Sequence, residues 1–300
     1  MSLSGWVTRM QSGFYTVQVG SETLVCHVRK RLKRGKEMGD LISIGDRVEV
    51  SRQPDGSGMI EEILPRQRAL IRLDPTPRGV VQQILLANPD QVLLVFSCAQ
   101  PAPHLRMLDR FLVIAEKDQI PAAIVASKVD LVGEDAAHSL FGLYESLGYP
   151  VFYTSVQTGS SIAEVKAHLL GKITGLAGPS GVGKSSLLNA IQPDLGLAVR
   201  EVSAQTTKGR HTTVVRQMFP LAEGGFVADL PGLRSLALWD TEPEELDGYF
   251  VELRDLVAHC QFSDCTHRTE PGCAVRQAVS EGKIHPERYA SYLRLRYGND

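Results

Sequence analysis

The sequence predicts an α/β fold with an all-β module before it and a small cysteine-rich helical module after it. Three observations point there. Residues 1 to about 65 hold short β-rich runs separated by Gly, Ser, Pro and Asp. From about residue 70 to 235, apolar β-branched runs alternate with helical periodicity, the pattern of a parallel sheet wrapped by helices. Beyond Thr241 an apolar helical stripe precedes a loop that gathers three of the five cysteines. The expected domains are therefore residues 1–68, 69–238 and 239–300.

In the first module, Gly5 to Met10, Phe14 to Val19, Thr23 to Val28, Arg47 to Ser51 and Met59 to Ile63 read as five strands, enough for a small OB-like barrel. Arg29 to Lys36 places six positive charges in eight residues between two of them. A basic loop on such a barrel suits the backbone of RNA, and a solvated, partner-free loop is the alternative.

In the central region the buried strands are expected at Val92 to Phe96, Ala122 to Ala126, Val151 to Thr154, Ile173 to Ala177, Val214 to Phe219 and Phe226 to Ala228. Pro103 to Lys117 sets Leu105, Leu108, Phe111, Leu112 and Ala115 on one helical face. Glu134 to Leu147 carries Leu140, Leu143 and Leu147 and stops at Gly148. These stripes are core contacts without catalytic meaning.

Gly178-Pro179-Ser180-Gly181-Val182-Gly183-Lys184-Ser185 matches GxxxxGKS between the expected strand Ile173 to Ala177 and a helix from Ser186 to Ile191. That context lets successive backbone N–H groups and a helix N-terminus surround phosphates, with Lys184 neutralising charge and the Ser185 hydroxyl able to ligate Mg²⁺. Nucleoside triphosphate binding follows. Upstream, Ser127-Lys128-Val129-Asp130 follows a strand, where a carboxylate accepts both N–H groups of a guanine edge, a donor pair adenine lacks. Lys128 would lay its methylene stem along the base. Thr154-Ser155-Val156 ends the next strand, within reach of the guanine carbonyl through a backbone N–H. An ATP-using enzyme is the rival reading.

With Thr212-Thr213 and Asp229-Leu230-Pro231-Gly232 added, these residues resemble the motif set of GTPases of the translation-factor class, in rotated order: base recognition precedes the phosphate loop. That order marks circularly permuted GTPases. With a barrel before and a Cys/His module after, the chain resembles the RsgA (YjeQ) family of ribosome-small-subunit-dependent GTPases over essentially its whole length. Gly178 to Ser186, Gly209-Arg210-His211-Thr212-Thr213, Asp229 to Gly232 and Cys260 to Cys273 carry the resemblance most specifically.

The resemblance implies a GTP hydrolase that is stimulated by the small ribosomal subunit and acts late in its maturation, with 16S-type rRNA, GTP and GDP as partners. A nucleotide-gated RNA-binding module or chaperone with incidental hydrolysis is the alternative. Motif matching gives Ser185, Thr212 or Thr213, and Asp229 to magnesium, and the Gly232 amide to sensing the γ-phosphate. Leu233 stands where many GTPases carry a water-orienting Gln, so His211 is the candidate for positioning the attacking water, a role the resemblance also suggests; a mobile exposed histidine is the alternative. Two departures stand out. Ser127 replaces the usual Asn, which is expected to leave the link between base site and phosphate loop weaker or rebuilt, at the expense of affinity more than of base identity. Val156 replaces a small residue, with little consequence if its backbone makes the contact.

Cys260-x4-Cys265-x-His267-x5-Cys273 offers four ligands that suit one structural, tetrahedral zinc ion. His259 could stand in for His267 on spacing; the family resemblance selects His267. Cys26 and Cys98 are assigned to core packing. Arg288-Tyr289 and Tyr292 to Tyr297 interleave basic and aromatic residues, which suits either RNA contact or ordinary helix packing.

The chain of 300 residues has 43% hydrophobic and 22% charged residues and a net charge of −2, which excludes a disordered or uniformly basic class. Met1 to Met10 lacks a basic-then-apolar leader pattern and no apolar run approaches membrane-spanning length. A cytoplasmic monomer with no membrane association is expected.

Overall fold

The computed structural model describes residues 2–29, 32, 41–76, 79–197, 216–230 and 241–298, with backbone alone at 73–76 and 79–81. His211, Thr212, Thr213, Gly232 and all of the basic stretch except Arg29 and Leu32 lie outside them.

Strands β1 (Leu3–Gln11), β2 (Phe14–Val19), β3 (Glu22–Val28), β4 (Arg47–Arg52) and β5 (Gly58–Ile63) run in the order β1-β2-β3-β5-β4, and β1 pairs back onto β4 to close an OB-like barrel. Alternation decides which residues enter it: Leu24, Cys26 and Val28 of β3 and Val48 and Val50 of β4 turn inward against Val7, Val17 and Ile60. Burial pushes the Cys26 thiol up to about 11, as expected of a packing cysteine.

A hairpin of β6 (Ala69–Thr76) and β7 (Gly79–Ala87) follows, which the sequence pattern did not disclose. Its base carries Leu70, Leu85 and Leu86 into one core with Ile44 of the barrel segment. Ala87 N–H donates to Ile44 O at 2.9 Å and Ser43 Oγ to Ile84 O at 2.8 Å. Gly45, at φ +83°, lies so close that a Cβ there would sit 2.1 Å from the Ala87 carbonyl oxygen.

The central sheet takes β8 (Gln91–Ser97), β9 (Ala122–Ser127), β10 (Val151–Thr154), β11 (Ile173–Ala177), β12 (Arg216–Pro220) and β13 (Phe226–Asp229) in the order β10-β9-β8-β11-β13-β12. All its pairings are parallel except that of β12 with β13. At the outer edge β12 pairs with β1, Met10 opposite Arg216, so barrel and central sheet form one eleven-stranded sheet. Both faces are covered, which is why the strands read as continuous apolar runs. Helices α1 (Leu105–Lys117) and α2 (Glu134–Ser146) pack Phe111, Leu112 and Phe141 against Leu94, Phe96 and Ile124. Helices α3 (Ile162–Leu169) and α4 (Lys184–Ile191) pack Val165, Leu187 and Leu188 against Leu93, Val95 and Leu176 on the other face.

The C-terminal part corrects one expectation. Pro243 to His259 is not one helix but a short 3-10 turn, then α5 (Leu246–Tyr249) and α6 (Val251–Val257), broken at Phe250 with extended backbone. The break follows from what Phe250 packs on: its fully buried ring lies edge-on to Tyr292 and 4.6 Å from the Arg288 guanidinium. Helices α7 (Ala274–Ser280) and α8 (Pro286–Tyr297) complete the module, whose core includes Val113 of α1.

Arg288, 1% exposed, donates to Asp109 of α1 at 2.7 Å and to Glu252 of α6 at 2.6 and 3.2 Å. Asp109 also accepts from Tyr144 at 2.9 Å and from Ser291. Burial opposes the charge of Arg288, but the two carboxylates outweigh it and raise its pKa. Removing one partner of so buried a network costs roughly 3–5 kcal/mol. Arg288, Tyr292 and Arg296 are buried, so for these residues the basic and aromatic interleaving of α8 is packing rather than an RNA-facing surface.

Candidate nucleotide-binding site and metal centre

All candidate nucleotide residues that the structure describes lie at the carboxyl ends of parallel strands, where α/β sheets place ligands. The loop after β11 runs from Gly178 through Pro179, Ser180, Gly181, Val182 and Gly183 into Lys184, Ser185 and Ser186 at the start of α4. Gly178, Gly181 and Gly183 adopt φ of 149°, 80° and 95°, which other residues rarely adopt. A Cβ on Gly178 would sit 2.1 Å from the Val95 carbonyl oxygen, so only glycine lets the loop leave the sheet there. Lys184 Nζ curls over the loop and donates to Gly178 O and Pro179 O, both at 2.8 Å.

The turn expected to recognise the base faces the same loop. Ser127, 7% exposed at the end of β9, donates through Oγ to Val182 O at 2.6 Å. Lys128, at φ +60°, donates through Nζ to Gly181 O at 2.8 Å and also to Gln100 O. Burial lowers the Lys128 pKa, and Asp130 opposes that shift. Val129 packs into the core while Asp130, in the 3-10 turn Val129–Leu131, is exposed. The link expected to be weaker or rebuilt with serine in place of asparagine is made here by a shorter side chain reaching a carbonyl of the phosphate loop. Burial also pushes the neighbouring Cys98 thiol up to about 11, with Asp130 adding to it.

Thr154 and Ser155 are buried at the end of β10. The Ser155 N–H donates to Ser160 O at 3.3 Å and its Oγ accepts from Thr158 N–H at 3.2 Å, while Val156 is 42% exposed. Asp229 ends β13, next to β11. Its Oδ1 is buried with no hydrogen-bond partner among the described residues, and burial raises its pKa while Lys184 lowers it. An orphaned carboxylate oxygen beside a phosphate loop that also presents the Ser185 hydroxyl fits a hard, oxygen-seeking cation such as Mg²⁺.

The metal centre holds Cys260, Cys265, His267 and Cys273, whose ligand atoms all lie within 4.8 Å of one another. His267 Nδ1 is 3.5 Å from Cys260 Sγ and 3.4 Å from Cys273 Sγ. Tetrahedral zinc with bonds of about 2.0 Å to N and 2.3 Å to S requires ligands about 3.5–3.8 Å apart, so the set fits that ion. His267 directs its other nitrogen, Nε2, at Asp247 Oδ2 3.1 Å away, a carboxylate support typical of histidine ligands. His259 is exposed and outside the cluster. Burial pushes the Cys265 thiol up to about 12.

Sequence reasoning missed three supporting residues. Gln100 fixes Lys128, Asp247 orients His267, and Glu270 accepts from the backbone of Thr266, Arg268 and Thr269 and so shapes the metal loop. Those bonds hold the Glu270 carboxyl well below the usual carboxylate range, the Thr266 hydroxyl contributing most. No local motif announces Gln100 or Asp247, since each acts across a gap in sequence.

A phosphate loop in a parallel sheet, tied to a guanine-type turn that precedes it in the chain, defines a circularly permuted P-loop GTPase. A family model described as RsgA GTPase matches residues 63–239. The small ribosomal subunit biogenesis GTPase RsgA of Gemmatimonas aurantiaca is 44% identical over 298 residues, covering 98% of this chain and 97% of that protein. Its namesake from Thermotoga maritima is 41% identical, covering 98% and 95%. Among solved structures, YjeQ from Thermotoga maritima superposes with a TM-score of 0.79 at 38% identity, covering 99% of this chain and 98% of that one. YloQ, described as a circularly permuted GTPase, gives 0.75 at 33% identity over 99% and 95%. The chain belongs to the RsgA GTPase family.

Proposed function

We propose that this chain hydrolyses GTP in response to the small ribosomal subunit and acts in a late step of that subunit's maturation. The observation that carries the nucleotide part is the pair of ties from Ser127 and Lys128 to Val182 and Gly181, which bring guanine-reading and phosphate-holding elements to one cleft. The ribosomal part rests on kinship with relatives named for small-subunit biogenesis.

In this reading Asp130 accepts from the guanine edge and Lys128 covers the base. Because the Ser155 N–H is already bonded to Ser160, Val156 supplies the amide for the guanine carbonyl. The loop from Gly178 to Ser186 holds the phosphates, with Lys184 balancing charge that spreads over the γ-phosphate in the transition state. Ser185, one of Thr212 and Thr213, and Asp229 would hold Mg²⁺, which supplies charge neutralisation between the phosphates. Gly232 senses the γ-phosphate and His211 orients the attacking water.

Residues 1–68 grip 16S-type rRNA, 69–238 form the GTPase unit and 239–300 the zinc-stabilised module, whose metal role is structural because four protein ligands leave no open position. The protein acts as a cytoplasmic monomer; among the described residues no helix is long and apolar enough to cross a membrane. GTP turnover measured alone and with small subunits, large subunits or free rRNA tests this reading. Small subunits are expected to accelerate turnover selectively, and equal rates throughout would overturn it.

A further inference from the structure

An open groove lies where the barrel meets the central sheet, at the amino ends of β8, β11 and β13 and therefore at the opposite end of that sheet from the phosphate loop. Its volume is about 390 Å³, and a second depression of about 300 Å³ adjoins it, the two sharing Trp6, Arg47 and Phe226. Trp6 of β1 and Arg47 of β4 are cross-strand partners, with the guanidinium 5.8 Å from the indole centroid. Both aromatic rings are only half-buried. Arg68 and Lys172 add two more cations to the lining; Arg47, Arg68 and Lys172 make no ion pair among the described residues, Lys172 Nζ donating to Gln91 Oε1 at 3.1 Å and Arg47 Nε to Ser4 Oγ at 3.2 Å. Asp90 is the carboxylate of the lining, and its Oδ2 accepts from Ile173 N–H at 2.7 Å.

Two partly exposed aromatic side chains among three cations and one engaged carboxylate match one partner chemistry. Unpaired bases have exposed π-faces that stack on Trp and Phe, and their phosphates meet Arg and Lys. Duplex RNA keeps its bases stacked internally and offers only backbone and groove edges. We propose that this groove binds a single-stranded RNA segment, stacking unpaired bases on Trp6 and Phe226 with phosphates held by Arg47, Arg68 and Lys172. This deepens the RNA-binding part of the proposed function, and it places a base-contacting site at the seam of two modules, away from the basic stretch Arg29 to Lys36. A strand seated here touches barrel and GTPase unit together.

The chain has two tryptophans, Trp6 and Trp239, so Trp239→Phe leaves Trp6 as the only indole reporter. An unstructured oligouridylate is titrated into that full-length variant while Trp6 fluorescence is followed, with an RNA duplex and polyglutamate as parallel probes. Saturable quenching by the single strand is expected, with weaker binding to the duplex and none to polyglutamate. Adding Arg68→Glu, an exposed change checked by thermal melting, is expected to weaken the single strand at least about fivefold and to flatten the salt dependence by roughly 0.7 in log–log slope for each phosphate left without its cation. Absent quenching, equal affinity for the duplex, an unchanged Arg68→Glu variant or binding of polyglutamate would each overturn the assignment. Filter binding of the same RNA separates the two claims. RNA retained without a Trp6 response sinks the groove and leaves the barrel reading standing; RNA not retained at all sinks both.

Discussion

The hydroxyl of Ser127 donates to the main-chain carbonyl of Val182 across 2.6 Å, although 55 residues separate the two. This bond, with the neighbouring one from Lys128 to Gly181, ties the turn proposed to read the base to the phosphate loop. In a permuted chain the two motifs are joined through α2, β10, α3 and β11, so these cross-cleft bonds fix the spacing that a guanosine nucleotide is expected to match.

Ser127→Ala removes the tie and leaves a buried carbonyl short of a donor, a loss of about 1 kcal/mol. GDP affinity measured by calorimetry is expected to fall roughly five- to tenfold while guanine remains preferred over adenine. An unchanged affinity would show that the spacing is set elsewhere.

The metal centre predicts one zinc ion per chain by elemental analysis. Cys273→Ser, or a strong chelator, is expected to expose the segment after Thr241 to proteolysis, because metal binding and folding of so small a module are one equilibrium. The Cys273 sulfur also accepts from Arg276 N–H at 3.4 Å at the start of α7, a cap that a serine hydroxyl still supplies, so Cys273→Ser removes the metal ligand and keeps the helix start. A metal-free chain with an intact, protease-resistant module would contradict the assignment.

Asp118 gives a pH dependence. It caps the C-terminus of α1, and burial pushes its carboxyl up to about 6 against the opposing pull of the Lys117 ammonium. A carboxyl raised above its unfolded value of about 3.9 keeps its proton longer in the native state, so stability falls as pH rises from about 4 to 6 and stays lowered above that. Asp118→Asn is therefore expected to stabilise the protein by about 1 kcal/mol at pH 7.5, allowing for partial solvent screening, with no gain at pH 4. Thermal melts at the two pH values check this; an equal shift at both would refute it.

Contiguous motifs were legible because their chemistry demands fixed residue types at fixed spacing. The phosphate loop and the Cys/His cluster are of this kind, and short alternating or β-rich runs bounded by turn residues marked all five barrel strands. What escaped depends on partners distant in the chain. Arg288 and Asp109 are 179 residues apart, so their pairing left no local trace and the interleaving in α8 stayed ambiguous. The β6–β7 hairpin was hidden by Pro75 within β6, a residue tolerated there because the hairpin is a two-stranded ribbon. The break at Phe250 was invisible for a related reason: the apolar period is right for one helix, and only packing against Arg288 and Tyr292 interrupts it.

Nucleotide preference of Asp130→Asn tests the central claim, that inverted motifs converge on one guanine nucleotide, more directly than any other measurement. The amide nitrogen that replaces one carboxylate oxygen donates, so it clashes with the guanine amino group, which also donates, and matches the xanthine carbonyl at the same position, which accepts. Competition binding is expected to show preference moving from GTP toward XTP, with Lys184→Ala weakening both. Undiminished GTP preference in Asp130→Asn would mean that this carboxylate does not read the base.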